Sequence, residues 1–371
     1  MFMGKDRKYD IGIYTFWNVP NYGTFAQAYA LQKAIQKMYP DRDVRQISYL
    51  DDVHYKFYYS KVPRCKIWKK RFVKELIRRN AKSAREKCKL FLANYNTIPH
   101  TEEFSRDSLK KAEFNTVVIG SDIVWDYSFE CFNYDRFLFG LDFKAKKIVS
   151  YAASFGTIKN GTKHPQYVIE GIRGFSNITV REENSANIVE EITGKKPKIV
   201  LDPTWIWDFN SDPLVETSNY TNYMVVYGQD FTNKFIDEII EYSKRKNLKI
   251  VCLDCNNDNY LWCDVLLKQD ELSPYQWFGI FKDAEAVATS TFHGLTFALI
   301  FNKKLAFCKS DFILAKAGVF LKELGLYKLY TDEKNTVMDM LEREWDYTEI
   351  NKYIEKKRKE SLKILHDIIG E

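Results

Sequence analysis

The chain has 371 residues and a mass of 43.8 kDa, a length typical of two domains. Apolar residues make up 45% and charged residues 29%, which excludes a disordered or collagen-like chain. The seven cysteines are odd in number and scattered, as expected for reduced thiols in cytoplasm. The N-terminus is charged, and no apolar run approaches the ~20 residues that span a bilayer. We therefore expect a cytoplasmic protein.

The net charge of +6 hides one strongly basic segment. Residues 56–89 contain 14 Lys or Arg and two acids, a local charge of +12, so the remainder carries about −6. Such a segment suits a polyanion, such as nucleic acid, an anionic membrane surface or a diphosphate-linked acceptor. The same pattern also fits a solvated helical face, which is the commoner meaning of a charge run.

Strands and helices alternate in the first half of the chain. Residues 10–16 read as a buried strand, followed by a polar turn and an apolar helical stripe from Phe25 to Met38. Thr24 and Gln27 fit a capping box at the start of that helix. Residues 56–92 favour helix. Further strands are predicted at 117–120, 147–153, 178–180 and 199–201, with a helix at 185–193 that ends at Gly194.

A second unit is predicted from about residue 220, with strands at 223–227, 250–253, 286–288 and 305–308 between helical segments. A last amphipathic helix closes the chain. The alternation predicts two Rossmann-like parallel-sheet α/β domains. These are residues 1–210, with a basic helical insertion at about 52–112, and residues 220–345, followed by the closing helix at 346–371.

Polar residues follow the predicted strands, at the edge where open parallel sheets bind ligands. These candidate site residues are Asn21, Tyr22, Gly23, Ser121, Asp122, Ser154, Arg181, Glu182, Ser290, His293 and Gly294. Helix-start N–H groups near Thr24 or Gly294 are candidates for holding an anion. Arg181 is either an anion ligand or the partner of a neighbouring acid, and Asp122 either contacts a sugar or caps a helix. Cys252, Cys255 and Cys263 lack a second ligand pair at metal-binding spacing, so no metal site is predicted.

Six short motifs occur together in one order along residues 10–310. They read YTF…NYG…QAYAL, IGSD…W, SYAASFG, VRE, LDPT and STFHG…IFNK. In this order they resemble the polysaccharide pyruvyl transferase family. The sequence departs from the family pattern at Ile123, usually Gln, and at Leu295, usually Thr; both departures concern substrate contacts more than the fold.

The resemblance implies a fold similar to two-domain glycosyltransferases of the GT-B kind, with the site in the interdomain cleft. It implies transfer of a pyruvate group from phosphoenolpyruvate onto two hydroxyls of a polysaccharide or lipid-linked sugar, as a ketal, in surface-polysaccharide biosynthesis. No metal or cofactor is implied. Arg181 would bind the donor's carboxylate or phosphate, and His293 would be the catalytic acid or base. The other strand-end residues would bind substrate.

Two other functions fit parts of the sequence. A nucleotide-sugar glycosyltransferase could share the architecture, with Glu271 or Glu285 as a ribose ligand, although no ribose-binding pattern stands out. A non-catalytic polyanion-binding protein could use residues 56–92. On the favoured interpretation that segment meets an anionic membrane at its inner face, and no nucleic acid is expected.

Overall fold

The computed structural model describes residues 8–59, 82, 85–255, 260–308, 320–326 and 335–370. The chain divides into an N-terminal unit (Met1–Ser60, Leu92–Trp207 and Glu355–Glu371) and a C-terminal unit (Lys61–Phe91 and Asp208–Ile354). The division after Trp207 lies close to the predicted boundary. Residues 61–91 are predicted as part of an insertion in the first domain. Those of them that the structure describes fall in the C-terminal unit, where Lys87 forms an ion pair with Asp254. The closing helix is shared, because its residues from Glu355 onward belong to the N-terminal unit.

Among the described residues, six parallel strands form the sheet of the N-terminal unit, in the order β2-β1-β3-β4-β5-β6. They are β1 (Lys8–Tyr14), β2 (Val44–Gln46), β3 (Glu113–Ile119), β4 (Lys144–Ala153), β5 (Asn177–Val180) and β6 (Lys198–Ile199). The helices are α1 (Tyr22–Met38), α2 (Asp52–Tyr59), α3 (Arg106–Leu109), α4 (Gln166–Gly174), α5 (Glu183–Thr193) and α6 (Pro203–Ile206). The winding direction reverses between β1 and β3, which makes their carboxyl ends a topological switch point.

Both faces of this sheet are covered, as a parallel sheet requires. Successive residues of β3 face opposite layers, since Val117 belongs to one buried cluster and Val118 to the other. The first cluster is rich in aromatic rings, including Trp125 and Phe137. The second contains Leu31 of α1. The two buried clusters thus fix the sheet from both faces, and the carboxyl ends of its parallel strands lie together at one edge.

In the described part of the C-terminal unit, five parallel strands take the order β11-β10-β7-β8-β9. They are β7 (Tyr223–Tyr227), β8 (Lys249–Cys255), β9 (Val265–Lys268), β10 (Ala286–Thr289) and β11 (Lys304–Phe307). The helices are α7 (Asn233–Lys246), α8 (Pro274–Asp283), α9 (Phe292–Ile300), α10 (Val337–Glu342) and α11 (Tyr347–Gly370). Here the winding reverses between β7 and β10, so the switch point lies at the ends of these two strands.

The predicted pair of parallel-sheet α/β domains is confirmed. The predicted end of α5 is also confirmed, since Gly194 is its C-cap at φ 75°. The capping-box prediction was wrong: Asn21 is the N-cap of α1 and its side chain accepts from the Thr24 N–H. The hydroxyl of Thr24 donates instead to Asp122, so this tertiary contact leaves the cap to Asn21.

The short edge strands β2 and β9 were not predicted, because three or four residues give no clear periodicity. Most of the basic segment lies outside the described residues; within it the structure describes α2 up to Tyr59, residue 82 and helical residues from 85 onward. Its predicted membrane contact stays a prediction. Within the described ranges, none of the helices combines the length and apolarity needed to cross a membrane.

Candidate functional site

Hydrogen bonds join the ends of β1 and β3 to α1 at the N-terminal switch point. Thr15 Oγ1 donates to the Ser121 carbonyl at 2.9 Å, and the Ser121 N–H donates to Gln27 Oε1 at 3.2 Å. Gln27 Nε2 closes the ring by donating to Thr15 Oγ1 at 3.1 Å. Gly120 has φ 107°, and a Cβ there would lie 2.6 Å from the Tyr151 carbonyl, so only glycine fits this turn. The predicted Ser121 therefore sits in a fixed, buried loop.

Asp122 links the same loop to the first turn of α1. Its Oδ2 accepts from Thr24 Oγ1 at 3.0 Å, and its own backbone is held by Ser154, whose N–H donates to the Asp122 carbonyl at 3.0 Å. Asp122 caps no α-helix among the described residues and lies at φ 76°. Of the predicted neighbours, Asn21 is exposed, whereas Tyr22 and Gly23 are buried.

A second group lies at the ends of β4 and β5, beside the switch point. Ser154 Oγ donates to Glu182 Oε1 at 2.9 Å, and Ser185 Oγ donates to the same oxygen. Ser185 Oγ also accepts from the Phe155 N–H at 2.8 Å. Two hydroxyls thus fix the Glu182 carboxylate, which terminates the predicted VRE motif. Ser185 was not predicted as a site residue. Its position three residues after Glu182, on the first turn of α5, was the feature of the sequence that could have indicated this contact.

Arg181 is buried against acids of its own unit. Its Nη1 donates to Asp202 Oδ2 at 2.8 Å, and its Nε lies 3.6 Å from Glu182 Oε2. Only 2% of the Arg181 side chain and 1% of that of Asp202 are exposed. Burial alone lowers the pKa of Arg181, but the charges of Asp202, Glu182 and Asp122 outweigh it and raise that pKa. The alternative partner foreseen for Arg181, a neighbouring acid, is present in the structure.

Two buried titratable side chains, His54 and Asp135, lie near the carboxyl end of β1. His54 of α2 packs against Phe16 and Phe132, and burial lowers its pKa to about 4. Asp135 accepts from Tyr14 Oη at 2.5 Å, and burial raises the pKa of Asp135 to about 6. Neither residue was singled out from the sequence, because apolar surroundings are made by tertiary packing.

The C-terminal switch point is held mainly by hydroxyl and backbone groups. Ser290 Oγ accepts from the Gln229 N–H and donates to the Gln229 carbonyl, both at 2.8 Å. Gly228 has φ 147°, and a Cβ there would lie 2.1 Å from Ser290 Oγ. The loop after β7 therefore approaches the loop after β10 at a distance that only glycine permits.

His293 is the second residue of α9, directly beyond β10, and is half-buried. Thr291 is the N-cap, and its Oγ1 accepts from the Gly294 N–H at 2.9 Å. That N–H, a candidate anion donor from the sequence, is thus used by the cap. Thr289 Oγ1 accepts from the Thr291 N–H at 3.0 Å and donates to the Tyr227 carbonyl at 2.6 Å. The imidazole of His293 therefore stands on a tightly hydrogen-bonded turn.

The predicted site residues thus form two groups in the N-terminal unit and one in the C-terminal unit. Asn21, Ser121 and Asp122 lie at the N-terminal switch point, while Ser290, His293 and Gly294 lie at the C-terminal one. Ser154, Arg181 and Glu182 stand at the next two strand ends of the N-terminal sheet. The sequence interpretation missed Thr15 and the structural use of Gln27, although both stand in the quoted opening motif.

Two parallel α/β sheets with polar side chains at their switch points are typical of proteins that bind ligands at strand ends. A model of the family described as polysaccharide pyruvyl transferase matches residues 21–311. The chain belongs to that family, as its motifs predicted. The match contains every predicted site residue from Asn21 to Gly294. Among curated proteins, none matches the sequence significantly.

Several solved structures are similar to the chain. Heptosyltransferase WaaC from E. coli with ADP is 10% identical, covers 94% of this chain and 99% of its own, and has a TM-score of 0.40. UDP-GlcNAc 2-epimerase from Methanocaldococcus jannaschii is 11% identical over 94% and 100%, with a TM-score of 0.49. UDP-GlcNAc 2-epimerase from Neisseria meningitidis bound to UDP-GlcNAc is 9% identical over 98% and 99%, with a TM-score of 0.48. Similarity of this degree concerns the fold alone.

Proposed function

We propose that the protein transfers a pyruvate group from phosphoenolpyruvate onto two hydroxyls of a polysaccharide or lipid-linked sugar, as a ketal, in surface-polysaccharide biosynthesis. Family membership over residues 21–311 is the observation that carries this proposal. His293 supports it, because a half-buried imidazole directly beyond a switch-point strand can both accept and donate a proton.

The reaction balances without a metal or a redox partner. The methylene carbon of the donor takes a proton, and positive charge develops at the neighbouring carbon. One sugar hydroxyl adds there and gives up its proton; the C–O bond to phosphate then breaks, and phosphate leaves with the bridging oxygen and the electron pair. The second hydroxyl adds and gives up its proton. Of the two protons released, one replaces the proton used at the methylene carbon, and the other leaves on hydrogen phosphate.

In this proposal His293 moves the protons, and the remaining strand-end residues bind substrate. Those residues are Asn21, Tyr22, Gly23, Ser121, Asp122, Ser154, Glu182, Ser290 and Gly294. Arg181 is the proposed ligand of the donor anion, since its planar guanidinium carries five N–H donors. Because its side chain is almost fully buried against Asp202, a direct contact with the donor requires the Asp202 loop to move.

The test measures phosphate release from phosphoenolpyruvate across a panel of glycans. His293→Gln should lower turnover by ~10²–10⁴-fold, the range for a lost acid–base group, while the shift in melting temperature caused by phosphoenolpyruvate stays parental. His366→Gln is the matched control, because that imidazole is largely exposed on α11.

Two outcomes would count against this proposal. Stabilisation by a UDP-sugar, with no stabilisation and no phosphate release from phosphoenolpyruvate, would overturn it and favour a nucleotide-sugar glycosyltransferase. Near-parental turnover of His293→Gln would remove His293 from the proton transfers and leave Asp122, Glu182 and Tyr22 as the remaining candidates.

A further inference from the structure

The carboxyl end of β8 presents a charged pair that the sequence interpretation did not use. Lys87 Nζ lies 2.7 Å from Asp254 Oδ1, and the side chains are 9% and 21% exposed. The two residues are 167 positions apart in the chain and belong to the same unit. Lys87 stands on helical residues 85–95, one turn before the buried Phe91, whose ring lies 5.9 Å from Nζ. The lysine is thus anchored at the strand ends rather than dispersed in solvent.

The backbone of β8 aims Asp254 toward this position. The pairing of β8 with β9 shifts register between Leu253 and Cys255, and Asp254 between them has φ 58°. Such bulges redirect side chains and are over-represented beside functional sites. Burial, and to a smaller extent the charge of Asp254, raises the pKa of Tyr227 at the end of β7. The carboxylate therefore stands close to the last residue of a switch-point strand.

Strand register places this pair in one row with the switch point. Val226 pairs with Cys252, and Thr289 pairs with Tyr227. One or two residues further, Ser290, Gly228 and Asp254 follow one another across three neighbouring strands, which lie ~4.8 Å apart. Tyr260 Oη donates to the Gly228 carbonyl at 2.6 Å and fixes the middle of the row. The row, with the pair of Lys87 and Asp254 at its end, lies at the edge where parallel sheets bind ligands.

Stability alone does not account for a buried ion pair here. The desolvation of two charges offsets much of their attraction, and an apolar pair of similar volume would serve the fold equally well. An ammonium, in contrast, combines a positive charge with three N–H donors, the groups that an oxyanion accepts from. We propose that Lys87 binds an oxyanion of the donor at the C-terminal switch point and that Asp254 is the positioning residue that aims it.

This inference rests on the proposed function only for the identity of the donor. The shared chemistry is an oxyanion, which phosphate and carboxylate groups both offer. Inorganic phosphate and pyruvate separate the two ends of phosphoenolpyruvate, so calorimetric titration with each of the three ligands shows which end Lys87 takes.

The variants are Lys87→Met, Lys87→Arg and Lys89→Met. Lys89 is the matched control, since it stands two residues away with 70% of its side chain exposed. Lys87→Met should weaken the binding of phosphoenolpyruvate, and of either inorganic phosphate or pyruvate, by ~10–100-fold. This is the loss expected for a charge-assisted hydrogen bond. Lys87→Arg keeps the charge and should stay within about threefold, because most of the attraction is retained. Lys89→Met should match the parent protein.

Lys87→Met leaves Asp254 without this partner, so a second variant guards against loss of folding. Lys87→Met with Asp254→Asn removes both charges. Its melting temperature should be near that of the parent protein, while it binds the donor as weakly as Lys87→Met does. Asp254→Asn alone should raise KM for phosphoenolpyruvate with little change in kcat, which a purely structural role would not produce.

The outcomes separate this inference from the proposed function. Parental affinity for phosphoenolpyruvate in a folded Lys87→Met protein overturns the role of Lys87 and leaves the proposed function intact. A parent protein that binds none of the three ligands overturns it as well. Phosphate binding that depends on Lys87, without phosphate release from phosphoenolpyruvate on any glycan, supports the oxyanion site and refutes the proposed reaction.

Discussion

The carboxyl edges of the two sheets are built from different chemistry. At the N-terminal edge, charged side chains are buried against one another, with Arg181 between the carboxylates of Asp202 and Glu182. At the C-terminal edge, neutral groups hold the switch point, chiefly the two hydrogen bonds that Ser290 exchanges with the Gln229 backbone. The first edge is therefore fixed by its own charges before any ligand arrives. The second holds His293 on a neutral frame, with the charged pair of Lys87 and Asp254 one strand beyond the switch point, at the end of β8.

Breaking the buried pair of the N-terminal edge should have the largest effect. Arg181→Met leaves the Asp202 carboxylate buried without its 2.8 Å partner, and we expect the free energy of unfolding to fall by about 3–5 kcal/mol. Arg181→Met with Asp202→Asn should recover much of that loss, because the amide is neutral and still able to cap α6 through Thr204. Urea unfolding followed by circular dichroism measures both.

The double variant also decides what Arg181 does. A stable double variant that no longer binds phosphoenolpyruvate supports a donor contact, whereas parental affinity assigns Arg181 to the fold alone. If Arg181→Met lowered the free energy of unfolding by less than about 1 kcal/mol, the value of an exposed ion pair, the N-terminal edge would not be fixed by its buried charges.

His54 and Asp135, both buried near the end of β1, should shift stability with pH in opposite directions. The folded pKa of His54 is lowered from 6.5 to about 4, so the unfolded chain binds this proton more tightly and stability is lost as pH falls from 6.5 to 4. The folded pKa of Asp135 is raised from 3.8 to about 6, so stability is lost as pH rises through that range. Each of these two pKa shifts changes the free energy of unfolding by about 3 kcal/mol, at ~1.4 kcal/mol per pKa unit.

The two contributions have opposite signs and should nearly cancel between pH 4 and 6. Asp135→Asn should therefore expose the His54 titration, giving a protein that loses stability on acidification relative to the parent. His54→Phe should expose Asp135, giving one that loses stability as pH rises. Unfolding free energies at several pH values check this; parallel curves for the parent and both variants would show that neither group is buried as described.

The sequence predicted strand ends better than it predicted contacts between them. Apolar runs followed by polar turns were enough to place Ser121, Ser290 and His293 at sheet edges, because a parallel strand and its loop are local features. The choice between Asn21 and Thr24 as N-cap required the distant Asp122, which takes the Thr24 hydroxyl. The pair of Lys87 and Asp254 joins residues from distant parts of the chain, and no periodicity reports such a contact.

The smallest expected effect tests the neutral frame of the C-terminal edge. Ser290→Ala removes both hydrogen bonds to the Gln229 backbone, and at about 0.5–1.5 kcal/mol each we expect a loss of ~1–3 kcal/mol. Ser211→Ala is the matched control in the same unit, because Ser211 is exposed. If Ser290 also binds substrate, KM for phosphoenolpyruvate or the acceptor should rise beyond what the lost stability explains. An unchanged KM with the expected loss of stability would make Ser290 a loop clamp only, and an unchanged stability would show that the two loops are held together by other contacts.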